Sequence, residues 1–340
     1  MNGSTKVLSI AALLLAATTG YTHHSFDYHF DRSQSVTIEG VVKEFRFINP
    51  HAHLMVYVAN ETGETEEWDC AMGGSNGLAR NGWTEEVFAP GQAITVTGSA
   101  ARRDNTGCAY SVGILADGTR IEAGQILSTE GNEANADVAS ARAVPDSVPN
   151  LRRVWQGTAG MGMGGPPGPD EANPYEYLLS EAGHAALAAY DPVTDDPALQ
   201  CSPVSISRLW GTGSPVQIEQ REDVVVIRHE WMDAERTVHL NQIEHPDGAN
   251  VVLGHSVGSY EGSTLVIDTR RYAPGVLHQH PGLPHSDQLH TVERLTLSED
   301  GNLLNVSWSA EDPVYYLESL EGARTYEPST VLPQPYNCTH

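Results

Sequence analysis

The stretch Ala249–Tyr272, ANVVLGHSVGSYEGSTLVIDTRRY, decides the fold because it supports two incompatible readings. Gly254-His255-Ser256-Val257-Gly258 matches the G-x-S-x-G nucleophile elbow of α/β-hydrolases letter for letter. That elbow works only between a strand and a helix, where the sharp turn exposes the serine and the helix end helps form the oxyanion hole. Here Gly262 marks a turn, and STLVIDT follows as an apolar alternation rich in β-branched residues, the pattern of a second strand. The hydrolase reading fails on that context, and Gly254 and Gly258 become bends in a barrel strand.

The same pattern extends outward. From Ser202 the segments SPVSISRL, PVQIEQRE, DVVVIRHEW, ERTVHLN, HTVERLTLSED, NLLNVSWSAEDP and VYYLESLE read as strands, punctuated by the hairpin dipeptides Asp247-Gly248 and Asp300-Gly301. Strands in succession without helices predict a lipocalin-like antiparallel β-barrel, of about eight strands, a size that holds one small ligand. One helix is expected near 177–190, where alanines and leucines recur at helical spacing. Between Ser35 and Arg120, three strands, a short helical segment around Ser75–Trp83 and two more strands follow the order of an OB-like five-stranded barrel. Residues 126–173, rich in glycine, proline and small polar side chains, read as a flexible linker. The expected chain is therefore all-β: a signal peptide over 1–22, an OB-like domain over 23–125, the linker, and the lipocalin-like domain over 174–340.

A single cation, Lys6, precedes an apolar run from Val7 to Ala17 and then small residues, the layout of a secretory signal peptide. The run is far shorter than the roughly 20 residues that span a bilayer, so no membrane anchor is expected after cleavage. Cleavage after Gly20 or after Thr22 fits the small-residue rule. A periplasmic or secreted location permits disulfides, and the cysteines fall two per domain, predicting Cys70 with Cys108 and Cys201 with Cys338.

The formal charge of −25 and the presence of lysine only at Lys6 and Lys43 argue against nucleic acid and anionic membranes as partners, because both need a cationic surface. No nucleotide cofactor is expected. The 15 histidines are the compositional feature that points toward chemistry.

The phrases HHSFDYHFD, INPHAHL and MGGSNGLARNGW resemble the N-terminal module of a family of uncharacterised exported bacterial proteins. GHSVGSYEGSTLVIDT with HSDQLHTVER is similar to a second widespread module of such proteins, in which a tryptophan usually stands where Tyr260 is. Together they cover most of the mature chain, and the resemblance implies export and two modules without an activity. HAHL is also similar to the mature N-terminus of small periplasmic copper-resistance proteins, although here it lies where a strand begins.

Three sets of residues are candidates for function. His23, His24 and His29 with His51 and His53 offer imidazoles for copper or zinc, and His51, His53 and Met55 share one face of an extended chain. His278, His280, His285 and His290 gather in LHQHPGLPHSDQLH. Glu230, Trp231, Arg236, His239, Tyr260 and Trp308 would line a pocket if they face into the barrel, and Glu293 and Arg294, being neighbours on one strand, must face opposite sides. The leading expectation is an exported binding protein for copper or a similar divalent metal, with a small apolar ligand in the second barrel. The alternative is a barrel enzyme, a hydratase, lyase or isomerase, using acid-base catalysis on a small hydrophobic substrate.

Overall fold

The computed structural model describes residues 26–128, 148–158, 175–278 and 282–339. The segment 1–22 expected to be a signal peptide, His23, His24, His280 and most of the expected linker lie outside them. The first body comprises α1 (Phe26–His29), β1 (Phe30–Arg46), β2 (His53–Ala59), β3 (Thr65–Ala71), α2 (Ser75–Arg80), β4 (Ala93–Ala101), β5 (Gly107–Leu115) and β6 (Arg120–Glu122). The sheet runs β3-β2-β1-β4-β5-β6, and a further parallel pairing of β3 with β5 closes five of these strands into a ring with OB connectivity. Cys70 and Cys108 are register partners across that closing pair and form a disulfide. Alternation along β1, β2 and β4 turns Ile38, Val42, Leu54, Val56, Ile94 and Val96 into one core with Trp83 and Phe88.

The second body contains β7 (Arg153–Gly157), α3 (Glu181–Ala189), α4 (Ile206–Gly211), β8 (Val216–Gln220), β9 (Val224–His229), β10 (Glu235–His239), β11 (His255–Glu261), β12 (Thr264–Arg270), β13 (Gly275–His278), β14 (Leu283–His285), β15 (His290–Leu297), β16 (Leu304–Glu311) and β17 (Leu320–Ser329). Nine strands close as β7-β8-β9-β10-β11-β12-β15-β16-β17, while β13 and β14 form a separate hairpin. A ring of nine cannot alternate direction all the way round, so one neighbouring pair must be parallel, and it is β10 with β11. Parallel neighbours need a connection of a dozen or more residues. Leu240–Gly254 supplies it and is pinned to the chain beyond β12 by Val251 N–H to Arg271 O at 3.1 Å, Ala273 N–H to Val251 O at 2.9 Å and Arg271 Nη2 to Ala249 O at 3.0 Å.

The all-β expectation and both disulfides hold, Cys201–Cys338 being the second. The sequence reading differs in several places: the barrel closes with nine strands and one parallel pair where about eight antiparallel strands were expected, and VYYLESLE is mostly turn, β17 starting only at Leu320. Residues 153–157, assigned to the linker on composition, form β7, because Leu151, Val154 and Trp155 bury completely in a stretch too short to show a period. SPVSISRL carries α4, not a strand: Ile206 and Trp210 enter the barrel core, and the barrel caps the helix end. Tyr326 Oη donates to Trp210 O at 2.6 Å, and Arg324 donates to Gly211 O. Trp155, Trp210, Ile218, Ile227, Leu265 and Tyr326 are all buried in the barrel's hydrophobic core.

Candidate functional site

The chemistry-bearing cluster lies on the outer wall of the barrel. His239, His255, Asp268, His290 and Glu311 alternate with the buried residues Val238, Ser256, Thr269, Thr291 and Ala310, so they occupy outward positions on β10, β11, β12, β15 and β16. The loop Leu240–Gly254 brings His245 onto this wall. His245 Nε2 lies 2.8 Å from Asp268 Oδ1, and His290 Nε2 lies 2.7 Å from Asp268 Oδ2. A carboxylate only accepts, so both rings carry a proton on Nε2. His245 Nδ1 is then an acceptor when its ring is neutral, and the His255 Nδ1–H donates to it across 2.9 Å.

Asp268, His245 and His255 thus form a directed chain that leaves the far nitrogen of His255 as a base. The His239 ring stacks on His255 at 5.0 Å with 10° between planes. Burial, the neighbouring His239 and His245, and Arg271 hold His255 below the ordinary histidine value. Burial raises Asp268, but the hydrogen bonds from His290 and His245 outweigh it and leave the carboxyl below its usual range. Glu311 stands opposite His290 in register, 3.9 Å from its Nδ1. Among the described residues, no three His, Cys, Asp or Glu side chains already converge as a bound ion would require.

The sequence candidates are distributed more widely than their spacing suggested. His29 ends α1. His51 precedes β2 and has Nδ1 3.0 Å from Met72 O, whereas His53 opens β2 with Nδ1 2.8 Å from Asp69 Oδ1, so the two rings engage different partners. In the second set, His278 lies half-buried on β13 and His285 is buried on β14 with its ring against Tyr272, while His290 faces the outer wall. The proposed pocket set also divides. Arg236 points inward and makes a two-pronged contact with Glu293 at 2.7 and 2.7 Å, Trp210 Nε1 donates to the same carboxylate at 2.6 Å, and Arg294 faces out toward Glu261. Glu230 is buried where it meets Arg80 of the first body, and Trp231 packs with Leu209 and Tyr336. Tyr260 Oη accepts from Gln220 Nε2 at 2.9 Å, and Trp308 fills the barrel against Gly322. His239 is on the outer wall, not inside.

Sequence reasoning missed His245, His255, Asp268 and Glu311 as a group. The available signal was parity: Asp268 stands between the inward Ile267 and Thr269, and His255 precedes the inward Ser256, which is buried against Thr269 Oγ1 at 2.8 Å. Nothing local marks His245. Among known proteins, residues 11–109 match a family of unknown function, DUF6152. No curated protein matches the chain. The matched segment contains His51 and His53 and ends before the barrel, so the outer-wall cluster lies outside what that similarity covers.

Proposed function

We propose that the protein is an exported binding protein that takes a divalent transition metal, with Cu(II) the best-suited ion and Zn(II) next, through His245 and His255 on the barrel wall. The observation that carries this reading is the 2.9 Å separation of the two Nδ1 atoms. With metal–nitrogen bonds of about 2.0 Å, two donors so spaced subtend about 90° at an ion replacing the shared proton, the cis angle of a tetragonal site. The far nitrogen of His245 already donates to Asp268, the carboxylate–histidine arrangement that fixes the tautomer and orientation of metal-bound imidazoles. His239, stacked on His255, places a further imidazole beside the pair. Export is supported by the Lys6-to-Ala17 leader pattern and by the two disulfides.

Calorimetric titration with Cu(II) and with Zn(II) tests the reading. Replacing both His245 and His255 with Ala is expected to weaken binding at least about 100-fold, and Asp268→Asn alone about 10- to 100-fold. Replacing both His51 and His53 with Ala should leave the tight site intact. Parent-like affinity in the first double variant refutes the outer-wall site and returns the metal to the N-terminal set His23, His24, His29, His51 and His53.

The same Asp268–His245–His255 chain favours a second reading, an acid-base enzyme with His255 as general base. Unaltered turnover of a hydrophobic lyase or isomerase substrate in His255→Ala would exclude it.

A further inference from the structure

The C-terminal tail, residues 334–339, lies between the two bodies and bonds to both. On one side, Asn49 Nδ2 donates to Tyr336 O at 2.6 Å, Thr339 N–H donates to Asn49 O at 3.0 Å, and Asn76 Nδ2 donates to Pro335 O at 3.3 Å. On the other side, the Gln334 N–H donates to Glu230 Oε2 at 2.9 Å and the Tyr336 N–H to Asp233 Oδ1 at 2.9 Å. The tail therefore presents its backbone groups to both bodies, as an added strand does when it is recognised through its main chain. The Tyr336 ring anchors it in an apolar cluster with Val204, Leu209 and Trp231, and Cys338 is tied to Cys201. Asn49 is 2% exposed, and Asn76 both accepts from its amide at 3.0 Å and donates its own N–H to Asn49 Oδ1 at 3.4 Å. The amide of Asn49 is therefore committed to holding the tail and the start of α2 together.

We infer that Asn49 and Asn76 form a docking site for the chain's own C-terminal segment, and that the Cys201–Cys338 disulfide locks that segment in place so that the two bodies behave as one. The lock is open to thiol–disulfide exchange. A small dithiol reduces Cys201–Cys338 to two thiols and is itself oxidised to a cyclic disulfide, so two electrons and two protons pass from reagent to protein. Access favours this bond, because Cys201 and Cys338 are half-buried whereas Cys70 and Cys108 are 0% exposed.

Hydrogen exchange on the full chain decides the matter, with thiol alkylation mapping which disulfide has opened. After mild dithiol treatment, amides in 334–339 and in 73–81 are expected to exchange at least about tenfold faster, while β15 and β16 keep their protection. The Asn49→Ala variant with both disulfides intact keeps the main-chain acceptor of Thr339 but loses the side-chain bonds to Tyr336 O and from the Asn76 N–H, so the Asn76 amide and its neighbours in 73–81 should exchange faster, without effect on the barrel strands. Unchanged exchange of 334–339 after Cys201–Cys338 is reduced would show that the disulfide locks nothing. Loosening of the tail alone, with 73–81 as protected as before, would show that the tail does not couple the bodies. Parent-like exchange in Asn49→Ala would remove the docking site.

Discussion

Glu293 places a carboxylate in the barrel interior. It is fully buried and takes two bonds from Arg236 and one from Trp210. Burial opposes the charge on Arg236, but the adjacent carboxylate outweighs it and keeps the guanidinium charged. Glu293→Gln would leave that buried cation uncompensated, so a loss of about 3–5 kcal/mol is expected in urea unfolding, against which Arg294→Gln on the opposite face should cost under about 0.5 kcal/mol. The sequence revealed the opposed faces of Glu293 and Arg294 but not the partner, because alternation specifies a side of the sheet and says nothing of which strand lies across the barrel. His229 gives a test of sign. It is buried against Trp210, with ring centroids 4.8 Å apart, and burial together with Arg236 pushes it well below the ordinary histidine value. The unfolded chain therefore binds the extra proton first, and stability falls as pH drops below about 6.5, by up to about 1.4 kcal/mol per pH unit for this one group. His285 and His255, also lowered by burial, act in the same direction. His229→Phe keeps an aromatic ring against Trp210 and should flatten the decline between pH 7 and 5 by about one proton; an unaltered slope would mean that His229 takes up no proton on unfolding.

At the scale of elements, ring parity explains both what was legible and what was not. A five-membered ring and a nine-membered ring each contain an odd number of strands, so each needs one parallel junction, β3 with β5 and β10 with β11. Periodicity shows strands one at a time and therefore gave the all-β class and the OB order, but direction is a property of neighbours. The parallel junction in the barrel creates the return loop, and that loop carries His245, which is why the outer-wall cluster could not be assembled from spacing. α4 escaped for another reason: six residues with Ile206 and Ser207 have weak helical preference, and packing into the barrel decides their conformation. Gly254 is the hinge where the loop turns into β11. Its φ is +66°, and an added Cβ would meet Thr269 Cγ2 at 2.7 Å and Arg270 O at 2.8 Å. Gly254→Ala should therefore cost about 1–3 kcal/mol and displace His255, weakening the proposed metal binding along with stability. Gly262, at φ +58° with open space around it, is the control: its alanine variant carries backbone strain alone and should cost about 1 kcal/mol with metal affinity unchanged. Equal effects of the two substitutions on affinity would mean that the loop does not position the site.

At the scale of the molecule, the two bodies meet through contacts of unequal worth, and the inequality is testable. Arg103 and Asp191 approach to 2.6 Å with both side chains well exposed, 55% and 38%, so solvent screens the pair and its removal should leave stability nearly unchanged. Arg80 reaches from α2 to Glu230, whose side chain is 1% exposed while that of Arg80 is 24% exposed. The pair therefore fails asymmetrically. Arg80→Met leaves the Glu230 carboxylate buried without its cation and bonded to the Gln334 amide, and a loss of about 3–5 kcal/mol is expected. Glu230→Gln keeps an oxygen for the Gln334 amide and leaves no uncompensated carboxylate in the interior, so about 1–2 kcal/mol should be lost. Neither magnitude depends strongly on salt, because the carboxylate is shielded from ions in solution. Parallel urea titrations of the parent and both variants at low and high salt make the comparison. If Glu230→Gln proves as damaging as Arg80→Met, or if high salt erases the difference, the junction is a solvated surface contact and not the buried seam that Asn49, the tail and Glu230 together describe.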